Sequence, residues 1–311
     1  MKACEENGKA VSDHFVRSYK MITGGKGAEQ QVRDVLLSRY AAYLSDDGKV
    51  QIKGSSLGKL QEGKKSMRLA LISDIHGNNV ALEAVLTAIS TQNSTQVICL
   101  GDIASTGPQP CEVIKRLREI GCPVVMGNMD AWLLHPEPKE QPDVRRQRWQ
   151  EIDLWCAGQL SSADRAYLRS FQSSIEYPLP GEKVLFCYHG SPRSYKERIL
   201  PTTPEEELEQ AFAGTRGDLM VGGHTHVQMF RRFKDLLVFN PGSVGLAMDR
   251  VSPLSDIRQP AFSEYAIVEC NRTSFHVELH RVAFDLQAFI QAMNTSGMPH
   301  AAWWASYWKE A

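Results

Sequence analysis

No two of the seven cysteines, Cys4, Cys99, Cys111, Cys122, Cys156, Cys187 and Cys270, stand in a CxxC spacing, and their number is odd. That argues against a disulfide framework or a cysteine-rich zinc site and fits thiols in a reducing compartment. No stretch approaches about 18 continuous apolar residues, so no membrane span is expected. The opening MKACEENGKAVSDHF lacks the apolar segment of a signal peptide, and the expectation is a soluble, cytoplasmic protein. Net charge is almost absent: 35 Lys and Arg against 36 Asp and Glu leave -1. Such a balance supplies no global attraction for anionic lipid or nucleic acid, and no stable nucleic-acid complex is expected.

What is present is 311 residues, enough for one large domain or for a core with an appendage. Residues 1–66 read as an accessory segment or leader, with an amphipathic helix over Glu29 to Leu44 and then a Gly, Ser and Lys-rich linker. The core spans 67–283. Its first half alternates short apolar runs (RLALISD, QVICL, CPVVMGN) with helical periodicity, as in sheet strands covered by helices. A helical insertion follows at about 131–177, in which the exposed stretch PEPKEQPDVRR precedes the helical stretches Gln147 to Cys156 and Ser162 to Phe171. A second block of runs then contains KVLFCYHGSP, DLMVGGHTHV, LLVFNPGSVG, EYAIVEC and SFHVELHRV. Only the last two alternate like strands of a half-exposed sheet. Residues 284–311 form a helical, aromatic extension in which WWASYW fits a docked terminal helix or, failing that, a partner or homodimer surface.

Polar residues collect where the runs end: Asp74, His76, Asp102, Asn128, His189, His224 and His226. Carboxylate, imidazole and amide oxygen together suit divalent ions of the Mn, Fe, Co, Ni or Zn type better than Ca or Mg. Seven ligands exceed what one tetrahedral ion needs, so two ions are more economical. Each signal alone is weak. HTH at 224–226 carries more, because alternate residues of an extended strand face one side and both rings could line one pocket.

In order, DIHGN (74–78), GD (101–102), GNMD (127–130), HG (189–190) and GHTH (223–226) resemble the motif series of the calcineurin-like metallophosphoesterase superfamily, in its compact bacterial and archaeal phosphodiesterase-like branch. NPGSV at 240–244 is similar to a structural motif of that branch. The resemblance implies an α/β fold, a four-layer α/β/β/α sandwich of two mainly mixed sheets flanked by helices. It implies that Asp74, His76, Asp102 and His226 hold one divalent ion and that Asp102, Asn128, His189 and His224 hold the other, with Asp102 as the bridge. Asp74, Asp102, Asn128, His189 and His224 would form the catalytic centre. Two ions about 3.5–4 Å apart lower the pKa of a water, orient phosphate oxygens and stabilise an in-line displacement. The substrate implied is a phosphate ester, a small phosphodiester or nucleotide.

One position departs from the pattern. Many members carry a histidine directly after the asparagine, a group able to protonate the leaving group, where this chain has Met129. That shifts the expectation toward diesters with stabilised leaving groups. Asn78 is expected to contact substrate or support the metal loop, Asp130 to anchor His76 or another ligand, and Arg193 to meet a phosphate. The alternatives are a dinucleoside polyphosphate hydrolase or protein phosphatase on the same metal scaffold, or a metal-binding interaction scaffold with little catalysis.

Overall fold

The computed structural model describes residues 66–94, 96–248 and 259–309, and ahead of them the backbone of two short strands. These are β1 (Ala42–Leu44) and β2 (Val50–Ile52), paired antiparallel. The sequence reading puts the first at the end of a helix and the second in a linker. Both expectations give way to a pair of antiparallel strands, in keeping with the strand preference of Tyr, Val and Ile. The remainder of the expected accessory segment and its helix lies outside the described residues.

From β3 (Met67–Ile72) the chain alternates as expected: α1 (Asn79–Ser90), β4 (Gln96–Cys99) and α2 (Pro110–Ile120). Helix α1 starts where the Asn78 side chain accepts the Ala81 N–H at 2.9 Å, and it turns Ala81, Leu82, Val85 and Ile89 inward. Helix α2 has Pro110 in its first turn and stops at Gly121, whose φ of 61° is the left-handed closure glycine allows. The run CPVVMGN is not a full strand. Val124 and Val125 make only isolated bridges, to Cys99 and Gln172, because the chain must turn at once into α3 (Asn128–Leu134).

The expected helical insertion consists of α3, α4 (Val144–Gln159) and α5 (Ser162–Arg169). Asp143 caps α4, and a reciprocal Ser161–Asp164 box caps α5. Next come β5 (Ile175–Leu179), β6 (Lys183–Cys187), α6 (Glu205–Ala211), β7 (Leu219–Val221), β8 (Met229–Phe233) and β9 (Leu236–Asn240). The chain ends with β10 (Gln259–Pro260), β11 (Phe262–Cys270), β12 (Phe275–Ala283), α7 (Leu286–Thr295), α8 (Ala301–Ala305) and β13 (Trp308–Lys309).

Two mixed sheets result, in the orders β12-β11-β3-β4 and β5-β6-β7-β9-β8. Leu69, Leu71, Ile98, Ala266 and Val268 of the first pack against Leu185, Leu219, Val221, Leu237 and Phe239 of the second. The outer face of the first sheet carries α1, α2, α4, α7 and α8 through Ile72, Val85, Leu117, Ile152, Phe289 and Trp304. The outer face of the second carries α6 through Phe186, Met220, Leu208 and Phe212. This is the expected four-layer order.

Strand β11 lies inside its sheet and is buried on both faces, so its apparent alternation does not mark a half-exposed sheet. In the tail, Trp304 and Trp308 are buried, as a docked helix requires. No helix among the described residues is long and apolar enough to cross a membrane.

Candidate metal centre

The turns that leave β3, β4, β6 and β7 meet along one edge of the sandwich. Asp74 N donates to Gly101 O at 2.9 Å, and His76 N to Asp102 O at 3.0 Å. Gly223 N donates to His189 O at 2.8 Å, and His224 N to Asp74 Oδ2 at 2.9 Å. Four strand ends are thereby stitched into one surface. The price of that stitching is backbone strain: φ is 54° at Asp74, 48° at His76, 53° at Asp102, 65° at His224 and 55° at His226. Left-handed non-glycine residues are uncommon and persist where surrounding bonds over-determine them. His224 and His226 therefore reach the site from left-handed turns, not from the extended strand expected for HTH.

The side chains gather in two groups. Ligand atoms of Asp74, His76 and His226 lie within 4.8 Å of one another, and so do those of Asp102, His189 and His224. His226 Nε2 is 3.3 Å from Asp74 Oδ1 and 3.1 Å from His76 Nε2. His189 Nε2 is 3.3 Å from Asp102 Oδ2, 3.1 Å from Asn128 Oδ1 and 4.0 Å from Asp74 Oδ1. His76 Nε2 stands 4.0 Å from Asp102 Oδ2, so the Asp102 carboxylate lies between the groups.

Tautomers follow from the outer partners. His189 Nδ1 faces Leu100 O at 2.7 Å and His226 Nδ1 faces Leu246 O at 2.9 Å. A carbonyl can only accept, so each Nδ1 carries the hydrogen and each neutral ring turns an Nε2 lone pair toward the carboxylates. Lone pairs facing carboxylate oxygens repel unless a positive charge lies between them, a proton on Nε2 in the metal-free protein or a divalent ion once one is bound. Asp74 Oδ1, fully buried, has no hydrogen-bond partner, which leaves a charged acceptor unsatisfied at considerable cost. Divalent ions fit this donor set.

The ionisation of the residues points the same way. Burial pushes the Asp74 carboxyl up, but His226, His189 and His76 outweigh it and hold the group well below the usual carboxylate range. Burial likewise opposes ionisation of Asp102, and His189 more than offsets it, so its pKa is lowered. Burial disfavours the His189 imidazolium, yet Asp102 and Asp74 raise its pKa to about 10. His226 also moves up, since Asp74 outweighs its burial. Burial, then the neighbouring His226, brings His76 down to about 4. His224 is lowered by burial and by His189.

The three accessory residues fall differently. Asn78 is fully buried, and its side chain caps α1, so it supports the loop from inside and is not positioned for substrate contact. Asp130 accepts the backbone N–H groups of Asp102 (2.7 Å), Ile103 (2.9 Å) and Gly127 (3.0 Å), clamping the Asp102 turn. It does not anchor His76. Ser105 Oγ does that, at 2.9 Å from His76 Nδ1. The Arg193 guanidinium is paired with Glu197.

Several positioning residues escape the motif reading. Ser73 Oγ donates to Asp74 Oδ2 at 2.6 Å, and Met129 N donates to Asp102 Oδ1 at 2.7 Å. The loop over 240–245 braces the centre: Ser243 Oγ and Gly245 N reach Asp74 O, Val244 N reaches Ser73 O, and Asn240 Nδ2 reaches Gly223 O and Thr225 Oγ1. The NPGSV motif was the signal for that brace. Ser73 and Ser105 adjoin motif residues but carry no pattern of their own.

The model of the calcineurin-like phosphoesterase superfamily domain matches residues 67–272, about two thirds of the chain. The chain belongs to the calcineurin-like phosphoesterase superfamily. Uncharacterized protein MJ0912 of Methanocaldococcus jannaschii is 28% identical over 242 residues, 76% of this chain and 95% of that one. Phosphodiesterase YfcE of Escherichia coli is 27% identical over 194 residues, 58% of this chain and 80% of that one. The crystal structure of a metallophosphoesterase from Sphaerobacter thermophilus shares the fold with a TM-score of 0.59 at 24% identity, covering 78% of this chain and 98% of that one. Superfamily membership and two adjacent ligand groups describe a dinuclear, metal-dependent phosphoesterase, a hydrolase.

Proposed function

We propose that this chain is a phosphodiesterase acting on small diesters or nucleotide esters, in the cytoplasm, with two divalent ions of the Mn, Fe, Ni, Co or Zn type, manganese foremost. Asp74, His76, Asp102 and His226 hold one ion; Asp102, Asn128, His189 and His224 hold the other. The core over 67–283, with its insertion at about 131–177, carries the chemistry. The flanks 1–66 and 284–311 are accessory.

The observation that carries this reading is the buried, partnerless Asp74 Oδ1 set against inward-facing Nε2 atoms, a geometry that two cations relieve. Bound ions would supply a water of lowered pKa and neutralise charge building on the phosphoryl group. The chain's own part is to hold those ligands in place. The Ser73 hydroxyl and the His224 N–H fix one Asp74 oxygen, the Met129 N–H fixes one Asp102 oxygen, and backbone carbonyls lock two imidazole tautomers. Diesters are favoured over monoesters because Met129 offers no proton where related enzymes have a histidine. The phosphodiesterase named among the relatives supports the same preference.

The test is hydrolysis of bis-p-nitrophenyl phosphate beside p-nitrophenyl phosphate after chelation and reconstitution with Mn, Ni, Co, Zn or Mg, with metal content measured in parallel. Preferential diester cleavage with close to two ions per chain is expected. Two bound ions without turnover would favour the scaffold alternative, and no stoichiometric metal would overturn the constellation.

A further inference from the structure

Each histidine of the centre has a partner on its outer nitrogen. Ser105 Oγ stands 2.9 Å from His76 Nδ1, Leu100 O 2.7 Å from His189 Nδ1 and Leu246 O 2.9 Å from His226 Nδ1. His224 differs, because Lys196 O faces its Nε2, at 3.2 Å. A carbonyl only accepts, so Nε2 carries the hydrogen and Nδ1 is the nitrogen left for an ion. The setting of this ring depends on one peptide, Lys196–Glu197, in the connection between β6 and α6.

A closed set of bonds fixes that peptide. Ser191 N donates to Ser194 O at 2.8 Å and Ser194 N to Ser191 O at 3.3 Å, folding the connection back on itself. The fold-back lies directly on the residue after His189: a Cβ added to Gly190 would sit 2.6 Å from both Ser194 O and Tyr195 O. Ser191 is buried, and its hydroxyl donates to Glu197 Oε2 at 2.6 Å while accepting the Ser194 N–H at 3.1 Å. Arg193 Nε donates to the same Glu197 oxygen at 2.9 Å, and its Nη2 donates to the other. The Arg193 hydrogen bond outweighs burial and, with the Ser191 hydroxyl, holds the Glu197 carboxyl below its usual range, so this acceptor is ionised.

We propose that Glu197 is a positioning residue for the second ion: it anchors the peptide whose carbonyl holds His224 in its ligating orientation. The inference rests on the ligand assignment given above, in which His224 belongs to the second ion. Ser191 and Arg193 pin the Glu197 carboxylate, the pinned residue fixes the Lys196 carbonyl, and the carbonyl fixes both the ring and its tautomer. Without the anchor, His224 must give up rotational and tautomeric freedom when the ion binds, and the second ion is held more weakly. Among the described residues, the 191–197 segment makes no hydrogen bond to Asp74, His76, Asp102 or His226, so its effect is confined to one ion.

The test titrates metal-free parent and Glu197→Ala with Mn²⁺, counting bound ions by equilibrium dialysis and following electron paramagnetic resonance. The parent is expected to take up two ions with an exchange-coupled signal. In the variant the first dissociation constant should stay within threefold of the parent's and the second should rise about 10–100-fold. An isolated-ion signal should then appear at loadings that couple the parent. Glu197→Gln, which keeps an acceptor for the Ser191 hydroxyl, should fall between the two. Glu209→Ala, which breaks a surface pair with Lys234, is the control and should leave both constants unchanged. Circular dichroism verifies the fold, and Ser191→Ala, which removes the inner partner, should give the same split if Glu197→Ala does not fold. A second constant within threefold of the parent's would overturn the assignment. Equal weakening of both ions would overturn it too, because that is what a merely structural role gives. A parent that binds no Mn²⁺ would instead overturn the metal reading, and the role of Glu197 with it.

Discussion

Gly127→Ala isolates the placement of the bridging carboxylate. At φ -88° and ψ 167°, Gly127 has a backbone that alanine adopts freely, so no torsional cost confuses the result. The added Cβ, however, would sit 2.2 Å from Asp102 Oδ1, 2.4 Å from Asp102 N and 2.9 Å from Asp102 Cγ. Carbon and oxygen approach comfortably only to about 3.3 Å, so the carboxylate must retreat by about 1 Å. It has little room: Met129 N holds its Oδ1, and Asp130 grips both Asp102 N and Gly127 N. A displacement of ~1 Å at a reacting centre costs about 10²-fold in rate, and overpacking costs about 1–3 kcal/mol in stability. The assay is kcat/KM on bis-p-nitrophenyl phosphate with metal content and thermal denaturation. Gly158→Ala serves as the control, because nothing lies within 4 Å of its added Cβ, and it should leave rate unchanged while adding about 0.5–1 kcal/mol of stability. A Gly127→Ala protein that binds two ions and turns over within threefold of the parent would refute the reasoning.

Three further expectations concern the surroundings of the centre. Ser105→Ala frees the His76 ring and should lower metal affinity or turnover about 10–100-fold, read by metal titration; an unchanged affinity and rate would remove Ser105 from the support of the site. Because the metal-free protein keeps His189 protonated up to about 10, metal uptake near pH 7 must expel protons and tighten as pH rises. Calorimetry in buffers of different ionisation enthalpy should therefore give different apparent heats, and identical heats would contradict this. Burial, only partly offset by Arg281, raises Glu264 to about 7. For an acid raised in the folded state, the stability penalty is absent below its unfolded pKa and complete above about 7. Glu264→Gln should accordingly gain on the parent between pH 5 and 8, by at most ~3 kcal/mol at about 1.4 kcal/mol per pH unit, in urea denaturation followed at both pH values. A constant difference would exclude the effect.

The layers and the ligand groups were legible because apolar runs ending in polar residues recur at strand ends, and the superfamily's motifs occupy those ends. What stayed hidden depends on groups distant in sequence. The left-handed turns at His224 and His226 are held by Asp74, Gly223 and Leu246, none of which a window around HTH can supply. Strand β11 reads as alternating because Glu264 interrupts it, yet Arg281 on the neighbouring β12 lets that glutamate be buried. Strands β5 and β8 were missed for local reasons: Pro178 interrupts one, and Arg231 and Arg232 obscure the other. Asp130 was expected to anchor His76 or another ligand, and it holds Asp102, but through the backbone: three N–H groups take up its carboxylate and leave His76 to Ser105.

The 240–245 loop holds the carbonyls of Ser73 and Asp74 on one side and of Gly223 on the other, while His224 N reaches across to Asp74 Oδ2. A single strut therefore ties the turn that presents Asp74 to the turn that presents both histidines. Filling one half of the centre settles that strut for the other, so the second ion should bind to a site already set. Loading would then be cooperative, and titration would show few singly occupied molecules.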